Sequence, residues 1–151
     1  VFDIKDTVRK EADLIPDGAN WMQDSVTDFQ PEQNTVSCFS GRSFTYDYLI
    51  VAPGIQLNWD AVAGLKETLG KNGVCSNYAF EQAPYTYEAL TKVKAGDVVL
   101  FTSPATPVKC GGAPQKIMYL ASDLFRKKGI LNDVHVEFVS GIKRREKSFR
   151  N

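Results

Sequence analysis

Cys110 stands in the stretch Thr106-Pro107-Val108-Lys109-Cys110-Gly111-Gly112-Ala113-Pro114-Gln115-Lys116. This lies between an apolar β-like run, Val98-Val99-Leu100-Phe101-Thr102, and an amphipathic helical pattern from Gln115 to Lys128. Sulfur chemistry is what those residue types permit. A thiol at a strand-to-helix turn sits near the positive end of a helix dipole, which favours the nucleophilic thiolate. Lys109 beside it pushes the same way. Gly111 and Gly112 remove side-chain bulk and let a ligand approach the backbone. Pro114 suits a first helical turn, where a missing N–H costs little. The C-terminal edge of a parallel sheet is also where open α/β folds bind ligands. The other reading of Cys110 is a buried, inert thiol.

Other chemistries find little material. The chain has three cysteines, Cys38, Cys75 and Cys110. An odd number at irregular spacing is not a disulfide framework. No CxxC or Cys/His cluster marks a metal, so no metal ligand is assigned. The single histidine, His135, alternates with apolar neighbours in Val134-His135-Val136-Glu137-Phe138-Val139 and reads as a sheet residue rather than a base.

The 151 residues are 43% hydrophobic and 24% charged, with 18 basic against 18 acidic side chains. That balance argues against bulk nucleic-acid binding. Lys143, Arg144, Arg145, Lys147 and Arg150 against Glu146 make the end basic. A solvated end is the plain reading of it, and contact with anionic lipid or nucleic acid the other. There is no secretory pattern at the start and no apolar run of about 18 residues, so neither a signal peptide nor a spanning helix is expected within these residues. The chain begins at Val1 in mid-pattern and is expected to be a piece of something longer.

The elements that position Cys110 follow from periodicity. A short helix is expected from Asp6 to Ala12, and a turn at Pro16-Asp17-Gly18. Short strands at 20–23, 25–29 and 35–39, with turns at 31–34 and 40–42, make an antiparallel meander. The continuously apolar run from Tyr48 to Ala52 predicts a strand buried on both faces that stops at Pro53-Gly54. Helices are expected from Asp60 to Leu69 and from Tyr85 to Lys94. A buried strand over 97–102, a helix over 115–128 with Ile117, Leu120, Ala121, Leu124 and Phe125 on one stripe, and a strand over 134–139 form a βαβ unit. Arg126, Lys127, Lys128 and Gly129 are suited to the helix C-terminus. Residues 1–58 are expected to hold the meander and a return strand, residues 59–94 a connecting helical segment, and residues 95–151 the start of a second, Rossmann-like domain.

These residues carry a family resemblance. The run Tyr46-Asp47-Tyr48-Leu49-Ile50-Val51-Ala52-Pro53-Gly54 resembles the strand that returns to the FAD-binding domain in two-dinucleotide-binding-domain flavoproteins. Thr106 to Leu120 resembles the catalytic-cysteine segment of sulfide:quinone oxidoreductases of the mitochondrial-like branch. Ile55-Gln56-Leu57-Asn58-Trp59 and Gly73-Val74-Cys75-Ser76-Asn77-Tyr78 resemble that family too.

The resemblance implies an α/β fold, a partial two-dinucleotide-binding-domain flavoprotein of Rossmann-like type with a small β-meander. It implies FAD as cofactor, and hydrogen sulfide, a quinone and a small thiol or sulfite sulfur acceptor as partners. Hydrosulfide opens a cysteine disulfide or polysulfide bridge, one cysteine holds sulfane sulfur as a persulfide, and electrons pass through FAD to a membrane quinone. Cys110 matches one redox cysteine, whose usual partner lies further along the family sequence than residue 151. Lys109 would stabilise thiolate or attract hydrosulfide, and is otherwise a solvated charge. Cys75 matches a position where some members carry an additional cysteine, and is otherwise a small packing residue. Pro53, Gly54, Gly111 and Gly112 would lie at backbone turns beside the flavin. Trp59, Tyr78, Tyr85 and Tyr87 are open to a quinone-stacking role or to the core. The family's place is peripheral on a bacterial or mitochondrial inner membrane, held by regions not in these residues, and homo-oligomers are compatible with it.

Two features depart from the family. No GxGxxG fingerprint occurs here, so the chain alone is not expected to bind FAD or turn over. After Gly141 the residues do not follow the family's apolar continuation. The turn 103–110 carries prolines and no phosphate-binding glycine pattern, which disfavours nicotinamide. A flavocytochrome c sulfide dehydrogenase, another FAD-dependent pyridine nucleotide-disulfide oxidoreductase and a non-catalytic fragment remain the alternatives.

Overall fold

A computed structural model describes residues 3–103, 105, 108 and 110–141. The fold is mixed α/β and divides into two compact units between Gly54 and Ile55.

The first unit is built on an antiparallel meander of β1 (Val26–Gln30), β2 (Thr35–Cys38) and β3 (Ser43–Thr45). Val36 and Cys38, two residues apart on β2, share its buried face, as strand alternation requires. Cys38 is therefore a packing residue. The β1–β2 connection is a 3₁₀ turn, Pro31–Gln33, closed by Asn34 in the left-handed region with φ 49°. Asparagine tolerates that geometry better than most residues. The β2–β3 turn uses Gly41 with φ 84°.

Asp24 braces this turn. Its side chain is 8% exposed. It accepts hydrogen bonds from the Ser40 hydroxyl, from the Ser25 N–H at 2.8 Å, and from Arg42 Nη2 at 2.7 Å and Nε at 3.2 Å. The Ser40 hydroxyl first, then the Arg42 guanidinium, hold the carboxyl far below the usual carboxylate range. A depressed folded-state pKa stabilises the fold above the unfolded value of about 4, and that contribution drains away as pH falls through the folded value. Asp24→Asn is thus expected to lower stability at neutral pH and to flatten its loss in acid. Denaturant midpoints measured from pH 7 to pH 2 check both.

Three sequence expectations fail in this unit, each for want of partners. Asp6 to Ala12 is not a helix: 3₁₀ turns at Ile4–Thr7 and Glu11–Asp13 flank an extended Val8. Seven polar-rich residues cannot offset the cost of helix nucleation without an apolar face to bury. Residues 20–23 are irregular, and so is Tyr48 to Ala52. Tyr48 and Ile50 are more than nine-tenths exposed. A strand needs neighbours for its N–H and C=O groups, and none of the described strands pairs with this run.

The second unit centres on β4 (Val98–Ser103), α3 (Ala113–Lys127) and β5 (His135–Ser140). β4 and β5 pair in parallel, from Val98 opposite His135 to Ser103 opposite Ser140. Helix α3 covers one face of the pair. Phe101, Ala121, Phe125 and Val134 form the buried cluster, with Val99, Ile117, Met118, Val136 and Phe138 packed against it. The buried stripe runs through Pro114, Ala121 and Phe125, whereas Leu120 lies on the exposed side. The other face of β4 is open, with Val98 and Leu100 more than half exposed. Gly129, with φ 74°, ends α3. Its N–H donates to Arg126 O and that of Ile130 to Phe125 O, both at 3.0 Å, which is the paired closure of a Schellman motif.

Ahead of β4 lie α1 (Leu65–Thr68) and α2 (Ala83–Lys92). The expected helix over 60–69 is split by Gly64, whose φ of 77° interrupts it and makes it the N-cap of α1. Leu90 and Val93 join the core. Lys128 Nζ donates to Thr91 O at 2.9 Å and to Val93 O at 2.6 Å, capping the C-terminal end of α2.

Candidate functional site

Cys110 is exposed and lies two residues before Gly112, the N-cap of α3. Its carbonyl accepts the Ala113 N–H at 3.2 Å, so the backbone turns into the helix directly behind the thiol. Gly112 has φ −85°, ordinary right-handed geometry. A Cβ there would make an ordinary van der Waals contact at 4.0 Å with the Cys110 sulfur and one on Gly111 would meet open space, so the described residues give neither position a steric need for glycine. Pro114 is in the first turn, as its sequence position implied. Lys109 lies outside the described residues, with Pro104, Thr106 and Pro107 of the same turn and the basic stretch over 142–151.

Cys75 is half-buried, in the loop between α1 and α2. Its thiol donates to Gly73 O at 3.4 Å. Burial pushes the thiol above its ordinary value, with a smaller opposing contribution from Thr86, so Cys75 is protonated at neutral pH. Helix α2 holds this loop at two points. The Gly73 N–H donates to the Tyr85 hydroxyl at 3.0 Å, and the Thr86 hydroxyl donates to Ser76 O at 3.0 Å. Sequence reading left Thr86 unmarked. No local signal distinguishes a threonine that reaches back ten residues from one facing solvent.

A cavity of about 660 Å³ opens within the second unit. Cys75, Trp59 and Tyr78 line it, and so does β4 along its whole length. Val108 and Pro114, on either side of Cys110, are part of the wall, whereas Cys110 itself is not. Tyr87 is exposed and Tyr85 is occupied with Gly73. Of the four aromatic candidates, Trp59 and Tyr78 thus face the cavity. Pro53 and Gly54 close the first unit, and Gly54 has φ 76°, a conformation that calls for glycine. His135 is an exposed sheet residue 3.6 Å from Glu137.

A dinucleotide pyrophosphate requires a strand-to-helix turn rich in glycine, with free N–H groups. Among the described residues, the end of the turn from β4 into α3 does not fit that need: Gly112 is in helical geometry, and Pro114 contributes no N–H. Among the described residues, no group of three or more His, Cys, Asp or Glu could hold a metal ion, and no helix is long and apolar enough to cross a membrane.

No family model matches the chain. It is 51% identical over 140 residues to the mitochondrial sulfide:quinone oxidoreductase of Dictyostelium discoideum, a match covering 93% of this chain and 31% of that protein. The mitochondrial sulfide:quinone oxidoreductase of Mus musculus is 45% identical over 123 residues, covering 82% of this chain and 27% of its own. Among solved structures, the sulfide:quinone oxidoreductase of Aquifex aeolicus matches with a TM-score of 0.59 at 26% identity, over 79% of this chain and 26% of that one. A chain of the Tetrahymena thermophila mitochondrial ATP synthase matches at 0.60 and 21% identity, over 91% and 36%, and shares the fold alone. The chain therefore spans less than a third of the length of the curated relatives it matches.

Proposed function

From a chain homologous to one segment of the sulfide:quinone oxidoreductases, we infer a segment of a whole protein that oxidises hydrosulfide and passes the electrons to a membrane quinone. The observation that carries this reading is the exposed thiol of Cys110, placed where β4 turns into α3. A 15-residue helix presents partial positive charge at that end, which draws in an anion such as hydrosulfide.

Cys110 forms one half of a disulfide whose other cysteine lies outside this chain. Hydrosulfide attacks one sulfur. The S–S bond breaks, a new S–S bond forms, and one cysteine becomes a persulfide. The other leaves as a thiolate carrying the electron pair. A thiol or sulfite then removes the sulfane sulfur. In the family resemblance FAD is the electron acceptor, and the rest of the protein supplies its pyrophosphate cradle. Pro53-Gly54 and Gly111-Gly112 are backbone turns beside it. Cys75, half-buried and tied to Gly73 O, is assigned to the cavity wall and not to the sulfur relay. The second unit is the beginning of a Rossmann-like domain, and the whole protein sits peripherally on a bacterial or mitochondrial inner membrane.

The test is anaerobic turnover of the whole protein that carries this segment. Sulfide is expected to reduce a short-chain quinone, and NAD(P)H is not. Reduction by NAD(P)H without sulfide would place the chain among other flavoprotein disulfide reductases. Reduction of a cytochrome but not of quinone would place it with flavocytochrome sulfide dehydrogenases.

A further inference from the structure

Asn72 and Gly73 are the two central residues of a tight turn in the loop between α1 and α2. Both have positive φ, 51° and 80°, the mark of a type I′ turn and the reason that Asn-Gly is favoured there. Lys71 and Val74 face each other across the turn in an antiparallel bridge, and the Val74 N–H donates to Lys71 O at 2.8 Å. Asn72 and Gly73 are exposed. They are also the only Asn-Gly pair in the sequence. Asparagine is a chemically labile residue. Its side-chain amide can be attacked by the backbone nitrogen of the next residue, and glycine, lacking a Cβ, leaves that approach open.

We propose that Asn72 is a site of spontaneous deamidation, held in check by the Tyr85 hydroxyl. The Gly73 nitrogen bonds to Asn72 Cγ. The Cγ–Nδ2 bond breaks, and ammonia leaves with the proton that the backbone nitrogen gives up. Water then opens the five-membered imide on one side or the other, leaving an aspartyl or an isoaspartyl link. No electrons are transferred, and water is the only co-reactant. Two observations support the site and its guard. The position that a Cβ on Gly73 would occupy is empty, so nothing crowds the nitrogen from that side. That same nitrogen is engaged, because its N–H donates to the Tyr85 hydroxyl at 3.0 Å. It must leave this bond before it can turn on Cγ and lose its proton. Asn34 supplies a contrast within the chain. It too is left-handed, with φ 49°, but Thr35 follows it, β-branched and paired with Gln30 in the meander. The consequence of reaction at Asn72 falls on the cavity. An isoaspartyl link adds one backbone carbon between Lys71 and Val74, which a two-residue turn cannot absorb with its bridge intact. Gly73 and Cys75 both line the cavity wall.

Peptide mapping by mass spectrometry, on the whole protein incubated in buffer, tests the proposal, with the aspartyl and isoaspartyl products separated by chromatography. Asn72 is expected to convert ahead of the other asparagines, with Asn34 intact over the same period. Tyr85→Phe keeps the ring and removes the hydroxyl. With its fold confirmed by circular dichroism, it is expected to convert at Asn72 faster than the parent by about 2- to 10-fold, the factor that one net hydrogen bond supplies. The parent unfolded in urea is expected to convert faster than the folded parent, a comparison that stands even if Tyr85→Phe does not fold. No conversion at Asn72, or equal conversion at Asn34, would overturn the site. Equal rates in Tyr85→Phe and the parent, or in the folded and unfolded parent, would overturn the guard.

Discussion

Cys110→Ser in the whole protein is expected to lower sulfide-dependent quinone reduction by at least about 10³-fold, the scale on which loss of a nucleophile acts when nothing replaces it. Serine keeps the size and the position ahead of α3, but its hydroxyl cannot form the S–S bond that the reaction breaks. Cys75→Ala is the matching control. Burial pushes that thiol above its ordinary value, away from the nucleophilic thiolate form. Its turnover is expected to stay within the same order of magnitude as the parent. Steady-state quinone reduction of both variants, with circular dichroism to confirm folding, makes the comparison. Normal turnover in Cys110→Ser would remove the sulfur relay from this turn. A collapse in Cys75→Ala with the fold intact would move it to the loop between α1 and α2.

Phe125→Ala is expected to cost about 3–5 kcal/mol of folding stability, the range for deleting a buried aromatic ring and leaving a cavity. Phe125 is fully buried, and with Phe101, Ala121 and Val134 it joins α3 to the β4–β5 pair. The cost falls on the link that places Cys110, because the thiol precedes the same helix. Denaturant unfolding of the chain reads the loss as a lower midpoint. A change below about 1 kcal/mol would mean that the helix is held mainly elsewhere.

The βαβ unit was legible because its signals are local. Val98 to Thr102 is apolar, the stripe through Ile117, Ala121 and Phe125 has helical spacing, and Gly129 marks the stop. Leu120 was placed on the wrong side because apolarity alone does not tell a core position from one at the margin of the stripe. Tyr48 to Ala52 shows a different limit. Its composition is that of a buried strand, but strand formation is decided by a neighbour, and a sequence cannot show whether one is at hand. The site divides in the same way. Cys110 could be found from the turn that contains it, whereas the cavity depends on loops at 55–59 and 73–78 meeting β4. The state of Cys75 depends on burial and on Thr86, which no spacing rule connects to it.

The ammonium of Lys128 lies 37 and 35 residues beyond the two carbonyls that it caps, Thr91 O and Val93 O. During synthesis α2 leaves the ribosome well before the group that closes its end. Until α3 has emerged and wound to its last turn, the final carbonyls of α2 are left to water. Completion of the last turn of the earlier helix thus waits on the later one.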